Sequence, residues 1–482
     1  MNKVEKTSRK NAKYVYRFLC AIILMAVATY FFYRNWFNFI SDQFGDEALH
    51  DVGNHSLLGL GNQGMAVGIY AFLYIAFGRW LRAFKIGVER KSGIIAGQVL
   101  TLFSCAFAEM FLSCALSGQF RYFFYFVKLY LIMFCIQSVV IILISNLMVD
   151  LYRTFFPPLR VLEIYGEQND ELCYKINGLK YKYRVEESVS IDEDEKVIRE
   201  KLKQYDAALI NDVPAPERNR MVKLCFDMNK RVYYVPKISD VLVKNAQELN
   251  LIDAPLFLNK NNGIDPIHRF VKRAFDLTLS LVAFIILSPL MLITALAIHL
   301  EDGGPVFFKQ ERVTIGGKRF MIIKFRSMIV DAEKDGKPHP AGENDDRITK
   351  VGKLIRATRI DELPQLINII AGDMSIVGPR PERWEHVEQY SKEIPEFAFR
   401  LKVKGGLTGY AQVYGKYNTT ALDKLKLDLL YIANYSFLLD MQIIFQTIKV
   451  LVDPGSTEGF TESASQKIHD TEVKKSPELL KS

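Results

Sequence analysis

Asp361 and Glu362 stand side by side in Arg359-Ile360-Asp361-Glu362-Leu363-Pro364-Gln365. Adjacent carboxylates can divide work between a nucleophile and a metal ligand. They can also do no more than cap a helix and meet its dipole. The surroundings bear on the choice. Lys324-Phe325-Arg326, then Arg347, Lys350, Lys353 and Arg356, then Pro379-Arg380-Pro381 form three basic clusters around the pair. Guanidinium forks hold phosphate oxygens bidentately. Two prolines fix the backbone about Arg380, with room for a cis bond, and so aim its side chain; a rigid surface turn is the alternative. Lys324, Arg326, Arg347, Arg356, Pro379, Arg380 and Pro381 are thus candidate substrate-binding residues, with Asp361 and Glu362 the catalytic pair. The sum is a pocket for a di-anionic, phosphate-bearing substrate at a membrane surface, with a metal.

The elements that must hold this pocket can be read from spacing. Leu363, Leu366, Ile367, Ile369 and Ile370 make an apolar stripe of helical period, and Gly372 supplies a stop. Pro364 is tolerated in a first helical turn. This predicts Asp361 at or near an N-cap, where the helix end itself would favour phosphate. Val306-Phe307-Phe308 and Arg319 through Arg326 read as strands. Residues 331–346 read as a polar, mobile loop. The mixed apolar and charged stretch 419–452 suits a helix lying in a membrane interface, and the tail from Pro454 reads as disordered.

The chain has 482 residues, 49% of them hydrophobic, yet its mean hydropathy is near zero. Long apolar runs alternate with polar blocks, as in a membrane protein with a soluble part. Runs near 14–33, 63–79, 94–118 and 122–149 approach the ~20 residues that a spanning helix needs. Acidic residues dominate the loop after the first run, whereas Arg79, Arg82, Lys85, Arg90 and Lys91 follow the second. The positive-inside rule then places the N-terminus and everything after the fourth run in the cytoplasm. The net charge of +8 fits such a membrane-facing side, and no basic stripe with interleaved aromatics points to nucleic acid. The six cysteines show no metal-binding spacing and read as small apolar residues. No cleavable signal peptide is apparent.

Residues 159–250 read as a small α/β unit with strands at 161–165, 207–210 and 232–235 and helices at 193–204 and 215–229. Its first strand runs into Gly166-Glu167-Gln168-Asn169, not a GxGxxG fingerprint, so a dinucleotide is not expected. The fifth apolar run, 277–299, is flanked at both ends by basic residues and broken by Ser288-Pro289. The serine can serve the carbonyl that the proline frees. A kinked crossing and a re-entrant hairpin in the membrane both fit these residues.

Residues from about 266 to 452 resemble the bacterial sugar transferase domain of polyprenyl glycosylphosphotransferases, the monotopic phosphoglycosyl transferases. The resemblance rests on Lys272-Arg273-Ala274-Phe275-Asp276, Ser288-Pro289, Gly304 through Phe308, Gln310, Arg312 and Lys324 through Met328. It continues with Asp361 through Gln365, Gly372 through Ser375, Pro379-Arg380-Pro381 and Gly409-Tyr410-Ala411-Gln412-Val413. Lys404-Gly405-Gly406 departs from the family pattern, which has a proline after the basic residue, and Tyr410 stands where tryptophan is frequent. The resemblance implies transfer of sugar-1-phosphate from a UDP-sugar to undecaprenyl phosphate, with release of UMP, as the initiating step of glycan assembly. Asp361 would be the nucleophile and Glu362 the ligand of Mg²⁺. Lys324, Arg326 and Arg380 would meet the phosphates and the Pro379–Pro381 loop the uridine end, with Gln412 also binding substrate. It implies re-entry at Ser288 and Pro289, and a multi-pass protein of the inner membrane with its catalytic domain on the cytoplasmic face.

The expected fold is thus membrane α-helical plus α/β. A four-helix transmembrane region (1–150) is followed by a Rossmann-like cytoplasmic domain (151–250) and a linker (251–265). A catalytic domain (266–455) contains a re-entrant helix over 268–300, and a polar tail (456–482) ends the chain. A homodimer is left open. Two other functions compete: a non-catalytic scaffold for a glycan assembly complex, and an NAD-dependent nucleotide-sugar dehydratase. Against the latter, the Tyr233–Lys237 spacing falls on a strand-like piece interrupted by Pro236.

Overall fold

Four apolar helices begin the chain: α1 (Lys3–Phe44), α2 (Leu60–Trp80), α3 (Lys91–Ser117) and α4 (Phe123–Phe155). The computed structural model describes residues 3–44, 60–117, 120–166, 170–244, 246–249, 253–259, 263–330, 345–415 and 419–452. Within α1, α3 and α4 the stretches Asn11–Phe39, Lys91–Ala115 and Phe120–Phe155 are long and apolar enough to cross a membrane, while Gly64–Trp80 is apolar but shorter. Polar side chains bind the helices where lipid offers no partner. Gln137 Nε2 donates to the Ala28 carbonyl at 2.8 Å, and Tyr74 donates to Gln98 at 2.6 Å.

The chain then builds β1 (Leu159–Tyr165), α5 (Asp170–Asn177), β2 (Tyr183–Ser190), α6 (Glu195–Gln204), β3 (Ala207–Asn211), α7 (Ala215–Asp227) and β4 (Arg231–Tyr234). The sheet is wholly parallel in the order β2-β1-β3-β4. Its core comprises Leu162, Ile164, Ile198, Leu202, Met221 and Leu224. Three of these strands match the sequence expectation and β2 does not: Tyr183 and Val185 share an apolar face there, but Glu186-Glu187-Ser188 interrupt the pattern before Val189. Tyr233 lies on β4 with its ring against Tyr183.

A second compact body runs from Pro236 onward, the first ending at Val235. It opens with α8 (Ile238–Val243) and a small hairpin of β5 (Gln247–Leu249) and β6 (Leu256–Leu258), so the stretch expected to be a plain linker carries a strand. Next comes α9 (Pro266–Asp302), 37 residues long. It remains one helix through Pro289. The proline cannot donate to the carbonyl of Ile285, and Ser288 Oγ donates to that carbonyl instead, at 2.8 Å. Much of its surface is exposed and apolar, including Leu281, Val282, Ile285, Ile286, Leu292 and Ile293.

After α9, β7 (Phe307–Val313) and β8 (Arg319–Phe325) pair antiparallel, with Phe308 opposite Lys324. Then follow α10 (Lys350–Ala357), a 3₁₀ turn over Ile360–Glu362, and α11 (Gln365–Ala371). Then β9 (Ser375–Val377), α12 (Trp384–Glu393) and a 3₁₀ segment Pro395–Lys402 lead to β10 (Gly406–Thr408), parallel to β9. The described chain closes with α13 (Tyr410–Tyr414), α14 (Ala421–Ala433) and α15 (Phe437–Val452). The 331–346 loop lies outside the described residues except for Asp345 and Asp346, as does the tail from Pro454. One core joins Phe320, Ile322, Leu366, Ile369, Ile376, Val377 and Tyr431. It packs β8, α11, β9 and α14 into the frame behind the carboxylates.

Candidate active site

Arg359 adopts φ 57°, a left-handed conformation that few non-glycine residues take. That reversal separates α10 from the 3₁₀ turn holding Asp361 and Glu362. Leu363 N–H donates to the Ile360 carbonyl at 3.1 Å, which closes the turn. Pro364 then occupies the N-cap position of α11, with no side-chain cap. The expected cap at Asp361 is therefore corrected: both acids sit one turn earlier. Pro364 cannot donate a backbone hydrogen bond, so the chain restarts its helix there. With seven residues, α11 is also too short for its N-terminus to make an anion site. Gly372, at φ 96°, ends the helix as the sequence suggested.

Asn368 fixes the dyad against its neighbours. Its Oδ1 accepts from Ile323 N–H at 3.0 Å and its Nδ2 donates to the Met321 carbonyl at 2.8 Å. An amide inside an apolar stripe thus staples α11 to β8 and sets the position of Lys324 relative to the acids. Lys324 Nζ donates to Glu362 Oε1 at 3.0 Å, and Arg380 Nη2 donates to the same oxygen at 2.9 Å. Asp361 Oδ1 is buried and has no hydrogen-bond partner among the described residues.

The two acids consequently differ. Burial raises the pKa of Asp361 and the charge of Glu362 adds to the rise, while Lys324, Arg359 and Arg356 oppose it. Burial also pushes Glu362 up, but the charges and hydrogen bonds of Arg380 and Lys324 more than offset it and hold that carboxyl well below the usual range. Lys324 is pressed below its ordinary value by burial, against the pull of Glu362.

Not every expected cation joins the pair. Arg326 faces Asp302 at the end of α9, with Nη1 to Oδ2 at 2.6 Å, and donates to the Pro305 carbonyl at 2.7 Å. Arg347 pairs with Asp345 at 2.6 Å and draws that carboxyl down to about 2. Arg356, half-buried on α10, acts on Asp361 through its charge. Gln412, on α13, donates to the Leu407 carbonyl at 3.3 Å, and its Oε1 is a buried acceptor without a partner among the described residues.

Pro379-Arg380-Pro381 follows β9 with every peptide bond trans, which corrects the suggested cis bond. Backbones crowd here: a Cβ on Gly378 would fall 2.3 Å from the Lys404 carbonyl, and one on Gly409 would fall 2.1 Å from the Gly378 carbonyl. Arg312 Nη1 donates to the Pro381 carbonyl at 3.3 Å, and Arg400 Nη2 to the Arg380 carbonyl at 2.9 Å. The sequence reading gave Arg400, Glu382, Asp428 and Asn368 no role. A polar residue inside the apolar stripe was the one signal that could have flagged Asn368.

The dyad could take a divalent cation. Glu362 receives both cationic partners on Oε1, and Asp361 carries an orphaned buried oxygen next to it. Hard oxygens of this kind suit Mg²⁺, which binds one or two carboxylates plus substrate phosphates. No group of three or more metal-ligating side chains occurs among the described residues.

Residues 267–454 match the profile of the bacterial sugar transferase family. The chain is 40% identical over 257 residues to the UDP-N-acetylgalactosamine-undecaprenyl-phosphate N-acetylgalactosaminephosphotransferase of Aeromonas hydrophila, covering 52% of this chain and 59% of that protein. It is 41% identical over 236 residues to the UDP-glucose:undecaprenyl-phosphate glucose-1-phosphate transferase of Klebsiella pneumoniae, covering 47% and 50%. It is 34% identical over 210 residues to an exopolysaccharide production protein of Rhizobium meliloti (strain 1021), covering 40% of this chain and 92% of that relative. The chain thus spans 59% and 50% of the length of the first two relatives. With the dyad, the Ser288-Pro289 pair of the long apolar helix and the Pro-Arg-Pro loop all inside the matched region, the chain belongs to the bacterial sugar transferase family.

Proposed function

We propose that the protein transfers sugar-1-phosphate from a UDP-sugar to undecaprenyl phosphate, releasing UMP, as the first step of a membrane-bound glycan assembly. The observation that carries the reading is the unequal dyad: a buried, unpartnered Asp361 oxygen beside a Glu362 neutralised by Lys324 and Arg380. Asp361 attacks the sugar-bearing phosphorus. The bond to the UMP oxygen breaks, UMP leaves, and the phosphosugar remains on the carboxylate. An oxygen of undecaprenyl phosphate then attacks the same phosphorus and expels Asp361. One hard displacement becomes two easier ones.

Lys324 and Arg380 meet the diphosphate beside Glu362, and the charges of Arg359 and Arg356 act on Asp361. Glu362 would hold Mg²⁺, which when bound would supply charge neutralisation for the diphosphate. The Pro379–Pro381 loop holds the uridine end, with Gln412 on the adjoining segment. Arg326 and Arg347 are engaged with Asp302 and Asp345.

The membrane position in this reading is supported by α9. At ~1.5 Å per residue it is ~55 Å long if straight, well beyond the ~30 Å of a bilayer core. Near one end Lys272 pairs with Asp440 at 2.7 Å, and Asp276 accepts from Ser375 Oγ at 2.7 Å. At the other end Asp302 pairs with Arg326, and Glu301 accepts from Lys350 N–H at 2.7 Å. The rest of the same body holds both ends, which supports re-entry over crossing; in this reading the dyad lies at headgroup level on the cytoplasmic face. The sheet of β1 to β4 is Rossmann-like in this reading and holds no dinucleotide.

The test is UMP release from a panel of UDP-sugars with undecaprenyl phosphate and Mg²⁺. Asp361→Asn should lose about a thousandfold or more in turnover. Full turnover by that variant, or a phosphosugar trapped on another residue, refutes the assignment.

A further inference from the structure

Arg380 is only as well aimed as the backbone that carries it, and that backbone is gripped from behind. Arg400 is 4% exposed and Asp428, on α14, is 1% exposed. Arg400 Nη2 donates to the Arg380 carbonyl at 2.9 Å and lies 2.8 Å from Asp428 Oδ2. Its Nη1 lies 3.6 Å from Glu382 Oε1, one residue beyond the loop. A buried arginine is held in place by its carboxylates, since its charge is costly to leave unpaired. Asp428 is thus the inner anchor, Arg400 the connecting fork, and the Arg380 carbonyl the point of delivery. On its other end Arg380 reaches Glu362 at 2.9 Å.

We propose that Arg400 and Asp428 are positioning residues for the transfer reaction: they fix the main chain of Arg380 so that its guanidinium stands against Glu362 and the substrate diphosphate. Neither touches substrate. The inference rests on the proposed sugar-1-phosphate transfer and on Arg380 as a substrate-side cation. Displacement of such a group by about 1 Å can cost on the order of a hundredfold in rate.

A double-mutant cycle on the full-length protein tests it. UMP release is measured from whichever UDP-sugar the wild type accepts, with thermal midpoints measured alongside. Asp428→Asn should lower kcat/KM by roughly ten- to a hundredfold. In an Arg380→Lys background the same change should cost no more than about threefold, because its route to the site is already blunted. Arg400→Lys, which keeps the charge but loses the fork, should show the same non-additivity and serves if Asp428→Asn does not fold. Wild-type kcat/KM in either single variant overturns the proposal, as does a loss of equal size in both backgrounds, which marks a general structural defect. Absence of UMP release by the wild type with every UDP-sugar refutes the transfer reaction itself and is distinguishable from either result.

Discussion

Asp361 and Glu362 are neighbours in sequence with opposite electrostatic lives. As pH falls through the raised pKa of Asp361, the proposed nucleophile takes up a proton and turnover should drop. Glu362, held far below the usual range, stays ionised throughout, so the acid limb of the rate profile belongs to Asp361. In Glu362→Gln the negative neighbour that raises Asp361 is gone, while Lys324 and Arg380 remain. Turnover should fall roughly a hundredfold, and the acid limb of the residual activity should move to lower pH. A pH profile of kcat/KM checks this; a limb that stays put or moves upward means that Glu362 does not set the ionisation of Asp361. The acids, Lys324 and Arg380 were all legible from residue type and spacing. Which cations join the pair was not, because Arg326 and Arg347 are claimed by Asp302 and Asp345, and such pairings depend on tertiary approach.

Among the elements, α9 shows most clearly where sequence reasoning reaches its end. At Ser288-Pro289 the serine does serve the Ile285 carbonyl that the proline leaves free, but the helix runs on through the proline. Length and hydropathy alone could not say whether the run crosses, since that depends on what holds its two ends. A cysteine at Lys309, after α9, should react with a membrane-impermeant reagent from the same side as a cysteine at Asp265, before it. Labelling from opposite faces makes α9 a true crossing. The helix at the dyad was misjudged by one turn for a local reason. Acidic residues before an apolar stripe look like caps, but the left-handed Arg359 and the donor-less Pro364 divide that stretch into a 3₁₀ turn and a short helix. The missed β2 offered only a short apolar alternation at Tyr183 and Val185, which Glu186-Glu187-Ser188 interrupt before Val189.

At the scale of the whole chain, the boundary between compact bodies falls at Val235 and Pro236, upstream of the matched family region. The difference matters because Val241 on α8 is buried with Val387, Phe397, Leu425 and Leu429. A chain starting at Pro236 keeps that contact, and a chain starting at Asp265 loses it. Uncovering a buried valine costs roughly 2 kcal/mol, and Ile238 and Leu242 pack there too. Both shortened chains should release UMP if the first body is accessory, and the one starting at Pro236 should have the higher thermal midpoint. If neither turns over while the full chain does, the first body takes part in the reaction.

The glycines behind the Pro379–Pro381 loop bear on how this enzyme could be redesigned. Gly378 and Gly409 bring the segments after β9 and around β10 so close that neither backbone has room for a side chain at those points. The two segments therefore behave as one moulded part. The proposed contacts to the uridine end could be grafted from a relative only by exchanging both together, glycines included. A chimera that imports one half would inherit a main chain that no longer meshes with the other, whatever side chains it presents to the donor.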